Sequence, residues 1–111
     1  MSSLVQITDS TFAELVLAAP GPVVVDFWAE WCPPCRPMAS SLAELAEELR
    51  GEIVIAKMNS DENPETTRAY RVLSLPTLLF FRNGVVVKTI VGLRPKSTLR
   101  QALTVDSYAN R

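Results

Sequence analysis

Two cysteines three residues apart, Cys32 and Cys35, sit in the stretch Trp31-Cys32-Pro33-Pro34-Cys35-Arg36. They are the only cysteines in 111 residues, and the chain has no histidine. On an α-helix, residues at this spacing have Cα atoms roughly 5 Å apart. A disulfide accepts about 4.4–6.8 Å, so the dithiol and the disulfide can share nearly one backbone. If the pair opens a helix, free N–H groups and the positive end of the dipole favour a thiolate. Pro33 and Pro34 would take the first two helical positions, where proline is tolerated. Pro34 has no N–H, so the nearest backbone donor for the Cys32 sulfur is Cys35. Arg36 adds positive charge nearby and Glu30 opposes it. Two other readings stand beside this one: an inert buried pair, and one half of a metal or cluster site shared by two chains.

Asp26 is the second chemical oddity. It interrupts the apolar run Val23-Val24-Val25-Asp26-Phe27-Trp28, where a lone carboxylate is expensive to ionise and its pKa should rise. Strand alternation points Trp28 the same way as Asp26. Lys57 is the matching charge in Ile53-Val54-Ile55-Ala56-Lys57-Met58. If the two strands are neighbours, Asp26 and Lys57 could pair, either as a structural ion pair or as a proton acceptor and its partner beneath the cysteines. Pro76 in Leu75-Pro76-Thr77 opens a strand, which is allowed. X-Pro bonds are cis only about 5–6% of the time, so general physics expects trans. Gly92 breaks the chain after Ile90-Val91, as an ordinary turn would.

These residues need elements to hold them. Leu4–Ile7 reads as a short strand. Thr11 and Glu14 fit a capping box for a helix through Phe12, Leu15 and Val16 that ends near Pro20-Gly21. Pro22–Ala29 lacks polar alternation, as a strand buried on both faces does. Met38, Leu42, Leu45, Ala46 and Leu49 line one face of a helix over Pro34–Arg50, with Gly51 as its C-cap. Glu52–Met58 is a second buried strand. Asn63-Pro64-Glu65 starts a short helix, with Asn as cap and Pro at the first position. Thr77–Phe81 and Val85–Val91 are strands joined by a hairpin at Asn83-Gly84. A helix from Pro95 to about Tyr108 closes the chain. The order β-α-β-α-β-α-β-β-α demands parallel strands first and a hairpin last, hence a mixed sheet with helices on both faces.

Composition agrees and excludes much else. The chain is 48% hydrophobic, with 11 basic against 12 acidic residues. No basic cluster suggests nucleic acid, and no apolar run is long enough to span a membrane. Without histidine there is no Ser-His-Asp or Cys-His pair and no histidine metal ligand. Two cysteines make neither a disulfide framework nor a four-cysteine zinc site within one chain. No signal peptide is visible. The expected compartment is the cytoplasm, where a lone cysteine pair is more often catalytic than structural.

The pieces Val-Asp-Phe-Trp-Ala-Glu-Trp-Cys-Pro-Pro-Cys-Arg (25–36), Lys57, Asn59, Asp61, Leu75-Pro76-Thr77, Asn83-Gly84 and Gly92 stand in the order and spacing of the thioredoxin family, which the chain resembles over nearly its whole length. The resemblance implies one domain over residues 1–111 with an α/β thioredoxin fold: a central mixed sheet of about five strands flanked by four helices on both faces. It implies a protein dithiol–disulfide oxidoreductase that acts through a mixed disulfide. Cys32 resembles the exposed attacking cysteine and Cys35 the buried resolving one. Asp26 resembles the buried proton-transfer acid with Lys57 beside it, and Pro76 the family's cis-proline. Trp28, Trp31, Pro33, Pro34, Leu75, Thr77, Gly92 and Leu93 would line the groove for a target chain. The implied partners are disulfide-containing proteins and a flavin-dependent thioredoxin reductase, with NADPH involved only through that reductase. No bound cofactor or metal is implied, and the protein would be a monomer. Three positions depart from the family: Pro33-Pro34 replaces the usual Gly-Pro and bears on redox poise, Pro37 appears in place of a proline at Ser40, and Ser74 replaces a frequent glycine.

Overall fold

A computed structural model describes residues 4–104. Five strands form one sheet: β1 (Val5–Gln6), β2 (Val23–Trp28), β3 (Val54–Asn59), β4 (Thr77–Arg82) and β5 (Val85–Val91), in the order β1-β3-β2-β4-β5. β1, β3 and β2 run parallel, while β4 and β5 are antiparallel to their neighbours. A π-helical turn at Ala13–Leu17 and the helices α1 (Cys35–Glu48), α2 (Pro64–Ala69) and α3 (Lys96–Leu103) complete the expected order.

Alternation along the strands sorts the core into two halves. Val24, Ile55, Leu78 and Phe80 pack against Met38, Leu42 and Leu45 of α1 and Leu99 and Leu103 of α3. Val23, Val25, Phe27, Met58, Leu79 and Phe81 pack on the opposite side against Ile7, Phe12 and Val16. There Phe12, Tyr70 and Phe81 form a trio of rings with centroids 5.4 to 5.5 Å apart. Both sheet faces are covered, which is why β2, apart from Asp26, and β4 lack the polar alternation of a half-exposed strand. On the outer side of α1, Glu48 receives two bonds from Arg100 of α3, 2.9 and 3.0 Å, and Lys96 reaches Glu44 at 2.6 Å.

Asn83 (φ 53°) and Gly84 (φ 78°) both take left-handed conformations, as a two-residue hairpin turn requires. A Cβ on Gly84 would lie 3.1 Å from the Leu17 carbonyl oxygen, so the turn also needs glycine to approach the π-helical turn. A bulge between Phe80 and Phe81 shifts the β4–β5 register.

Several local expectations are corrected. The first helix ends at Leu17, and its last bond is the wide Ala18 N–H to Ala13 carbonyl, 2.9 Å. The capping box at Thr11 and Glu14 does not form, because the Thr11 hydroxyl accepts from the Thr8 N–H at 2.9 Å. Asn63 precedes α2 but does not cap it through its side chain. Its Oδ1 accepts from the Asp9 N–H (2.8 Å) and its Nδ2 donates to the Asn59 carbonyl (2.9 Å). Asp9 caps α2 instead, accepting from the N–H groups of Glu65 (3.1 Å) and Thr66 (2.9 Å). Gly51 (φ 89°) lies two residues beyond the C-cap of α1, which is Leu49. α3 ends at Leu103 because Thr104 is extended, and the remainder of the expected extension to Tyr108 lies outside the described residues.

Candidate active site

The topology gathers the singled-out residues at one end of the sheet. β2, β3 and β5 finish there and the antiparallel β4 begins there, so the segments holding Cys32, Asp61, Gly92 and Pro76 lie over adjacent strands. The Gly92 N–H donates to the Pro76 carbonyl at 2.8 Å. The Leu75–Pro76 bond is cis, as the resemblance implies and against the general preference for trans.

Cys32 and Cys35 form a disulfide with Cα atoms 5.4 Å apart, close to the separation expected for this spacing. The helix starts later than expected. Cys35 donates to the Cys32 carbonyl at 3.1 Å and Arg36 to the Pro33 carbonyl at 3.4 Å, and regular α1 begins at Cys35 after Pro34. Pro37 explains this: an α-helical bond to the Pro33 carbonyl would need the N–H of residue 37, and proline has none. The Cys35 N–H, expected to face the Cys32 sulfur, is thus directed to the Cys32 carbonyl.

The expectation of an exposed Cys32 is also corrected. Cys32 is 2% exposed and Cys35 3%. The pair forms a small cluster with Ala29, against which Trp28 and Leu75 pack. Burial therefore does not distinguish the two cysteines in the disulfide form. The surroundings do: a cavity of about 130 Å³ is lined by Cys35, Asp26, Lys57, Trp28, Arg36 and Ala39 among others, and Cys32 is not part of its wall.

Asp26 is fully buried and neither carboxylate oxygen has a hydrogen-bond partner. Burial pushes its pKa up to about 7, against the pull of Lys57, which lowers it. The two residues stand in register on adjacent parallel strands. The possible ion pair does not form within 4 Å, however. The Lys57 ammonium lies over the Trp28 ring, 5.8 Å from its centroid. The cavity between Asp26 and Cys35 has room for water.

Trp31 is 66% exposed, and its indole N–H donates to Asp61 at 2.8 Å. Asp61 is positioned by Asn59, whose Oδ1 accepts from the Asp61 N–H at 2.9 Å. Asn59 and Asp61 entered the sequence reading only as matching positions; their role as a brace for Trp31 needs the tertiary structure. Pro33 and Leu93 are exposed, while Pro34, Leu75 and Gly92 are half-buried. Thr77, expected in the groove, is buried, with its hydroxyl donating to the Ser74 carbonyl at 2.6 Å. Among the described residues no group of three His, Cys, Asp or Glu side chains could hold a metal ion. No helix among them is long and apolar enough to cross a membrane.

Comparison with known proteins agrees with this geometry. Residues 3–105 match the family model described as Thioredoxin. The chain is 48% identical over 103 residues to Thioredoxin 1 of Nostoc sp., covering 93% of this chain and 96% of that one. It is 52% identical over 96 residues to a thioredoxin of Streptomyces clavuligerus, covering 86% and 89%. It is 45% identical over 103 residues to a thioredoxin of Mycobacterium tuberculosis, covering 93% and 89%.

Proposed function

The chain belongs to the thioredoxin family of protein dithiol–disulfide oxidoreductases, and on that premise we propose that Cys32 is its nucleophile, Cys35 its resolving thiol and Asp26 the acceptor of the Cys35 proton. The Cys32 thiolate attacks one sulfur of a target disulfide. A mixed disulfide forms and the other target sulfur leaves as a thiolate. Asp26 takes the Cys35 proton through the shared cavity. The Cys35 thiolate attacks the Cys32 sulfur, and the second target cysteine leaves reduced. Two electrons pass to the target and the Cys32–Cys35 disulfide remains. Lys57 holds Asp26 in the range where it can cycle near neutral pH. Trp31, Pro33, Pro34, Leu75, Gly92 and Leu93 form the surface across which the target lies, with the buried Pro76 as its floor, Trp28 packed behind the disulfide and Thr77 beneath the groove.

The observation that carries this assignment is the cavity that joins Asp26 to Cys35 and excludes Cys32. In the same reading the targets are disulfide-containing proteins, and the electron donor is a flavin-dependent thioredoxin reductase drawing on NADPH. The protein works as a cytoplasmic monomer with residues 1–111 as a single domain and no bound cofactor. Insulin-disulfide reduction tests the function. Cys35→Ser should trap a mixed disulfide through Cys32, and Cys32→Ser should be inactive. Trapping through Cys35 in a Cys32→Ser protein would reverse the roles.

A further inference from the structure

The loop after β5 carries a charge that the proposed chemistry does not use. Arg94 folds back toward Gly92: its Nη1 lies 3.3 Å from where a Cβ on Gly92 would be, and it donates to the Leu93 carbonyl at 3.2 Å. Gly92 holds the Pro76 carbonyl, and Leu75 packs on the cysteine pair. The guanidinium is thus tied to the rim of the active site. An open cavity of about 420 Å³ lies there, lined by Pro37, Ser41, Leu93, Arg94, Pro95 and Lys96.

Two cations line that cavity, and only one is available. Lys96 is committed to Glu44 at 2.6 Å and Glu48 at 3.4 Å. Arg94 has no carboxylate within ion-pair distance among the described residues. A guanidinium has five N–H donors in a fork suited to a carboxylate, and the bond to Leu93 is the one the Arg94 side chain makes among the described residues. On the other side of the disulfide the charge is opposite. Asp61 and Glu62 follow β3 and are exposed. The strand order places β3 and β5 on opposite sides of β2.

We propose that Arg94 is a specificity-determining residue that selects target disulfides with a carboxylate side chain two or three residues from the attacked cysteine. The proposal rests on the oxidoreductase reading above. From β2 to β5 is two strand intervals, about 10 Å, which two or three residues of extended chain cover. Asp61 and Glu62 repel the same carboxylate, so the acidic end of the target is directed to Arg94 by attraction and by repulsion.

Two synthetic peptides test this, each closed by one disulfide and differing only at the third residue before and after one cysteine, Glu in one and Gln in the other. The readout is the ratio of kcat/KM for the Glu peptide over the Gln peptide at low salt. An exposed ion pair gives at most about a fivefold preference, and that is the ratio expected for the native protein. It should fall to about one in Arg94→Ala and below one in Arg94→Glu, with Arg94→Lys between, as loss of an ion pair of this size requires. High salt should shrink the native ratio. A native ratio near one, or a ratio unchanged in Arg94→Ala, overturns the proposal. If the native protein reduces neither peptide, the oxidoreductase reading itself fails and the selectivity falls with it.

Discussion

Asp26 and Lys57 stand opposite each other in register on β2 and β3, yet the ammonium lies over Trp28 and the carboxylate keeps no hydrogen-bond partner. The pair is coupled through space without a contact. This leaves Asp26 with most of its burial penalty, which is why its pKa stands at about 7 rather than near 3.8.

Asp26→Asn should therefore stabilise the protein, and by more at higher pH. A carboxyl whose folded pKa is raised binds its proton more tightly in the native state. Its stabilising contribution is complete below the unfolded value of 3.8 and is lost as pH rises to about 7. A shift from 3.8 to about 7 corresponds to roughly 4 kcal/mol between those limits. Urea unfolding at pH 5 and pH 8 should show the gap between variant and native protein widening with pH. An equal gap at both values would mean that ionised Asp26 is solvated.

Lys57→Met should move the pH dependence of target release upward. Lys57 lowers the Asp26 pKa, so its removal lets burial act unopposed and the carboxyl titrates above 7. Asp26 must be ionised to accept the Cys35 proton, so single-turnover release should need higher pH in the variant. In Asp26→Asn the same profile should lose this step and run slower by about 10²–10⁴-fold, the range that general bases supply. An unchanged midpoint in Lys57→Met would remove Lys57 from the proton-transfer site.

Asp9→Ala should cost about 1 kcal/mol, the usual value of a lost helix cap, although Asp9 lies more than fifty residues from the helix it caps. Burial raises the Asp9 pKa, but hydrogen bonds from Thr66 and Glu65 outweigh it and hold the group below 3.8. The contribution is present above the unfolded value and is lost as pH falls through the lower folded one. The difference between Asp9→Ala and native protein should shrink in acid. Asp9→Asn should retain part of the cap, and chemical denaturation of the three proteins checks both statements.

Gly84→Ala should destabilise by about 1–2 kcal/mol from its left-handed backbone alone, and by more because the new Cβ meets the Leu17 carbonyl at 3.1 Å. Gly21→Ala is the control, since no atom lies within 4 Å of its Cβ position and its φ is not positive. Thermal unfolding midpoints should fall for the first and hold or rise for the second.

Much of this was legible from local pattern. The apolar runs, the Asn83-Gly84 turn and the three-residue cysteine spacing are short-range signals with one physical reading each. Asp26 was legible because a carboxylate in an apolar strand has few explanations. What escaped was set by distant chain. Asp9 takes the cap from Asn63 because β1 delivers it to the start of α2. Cys32 is covered because Trp28 and Leu75, one of them from before β4, close around the disulfide. The late start of α1 depends on Pro37, which the sequence displays, but its effect appears only when the Pro33 carbonyl is asked for its partner. Arg94 carried no signal, because an arginine beside a turn is ordinary until its neighbours are known.

The bulge opposite Phe80 and Phe81 has a consequence for solubility. β5 is an outer strand of seven residues with exposed Val85, Val87 and Val91, the composition that templates intermolecular sheet growth. The bulge breaks the regular ladder that another chain would have to match. Lys88 turns inward over the Phe80 ring, its ammonium 5.3 Å from the centroid and donating to the Ala102 carbonyl at 3.4 Å. A second copy adding to this edge would have to straighten the bulge and pass the half-buried Lys88, so this apolar edge is guarded by its own irregularity.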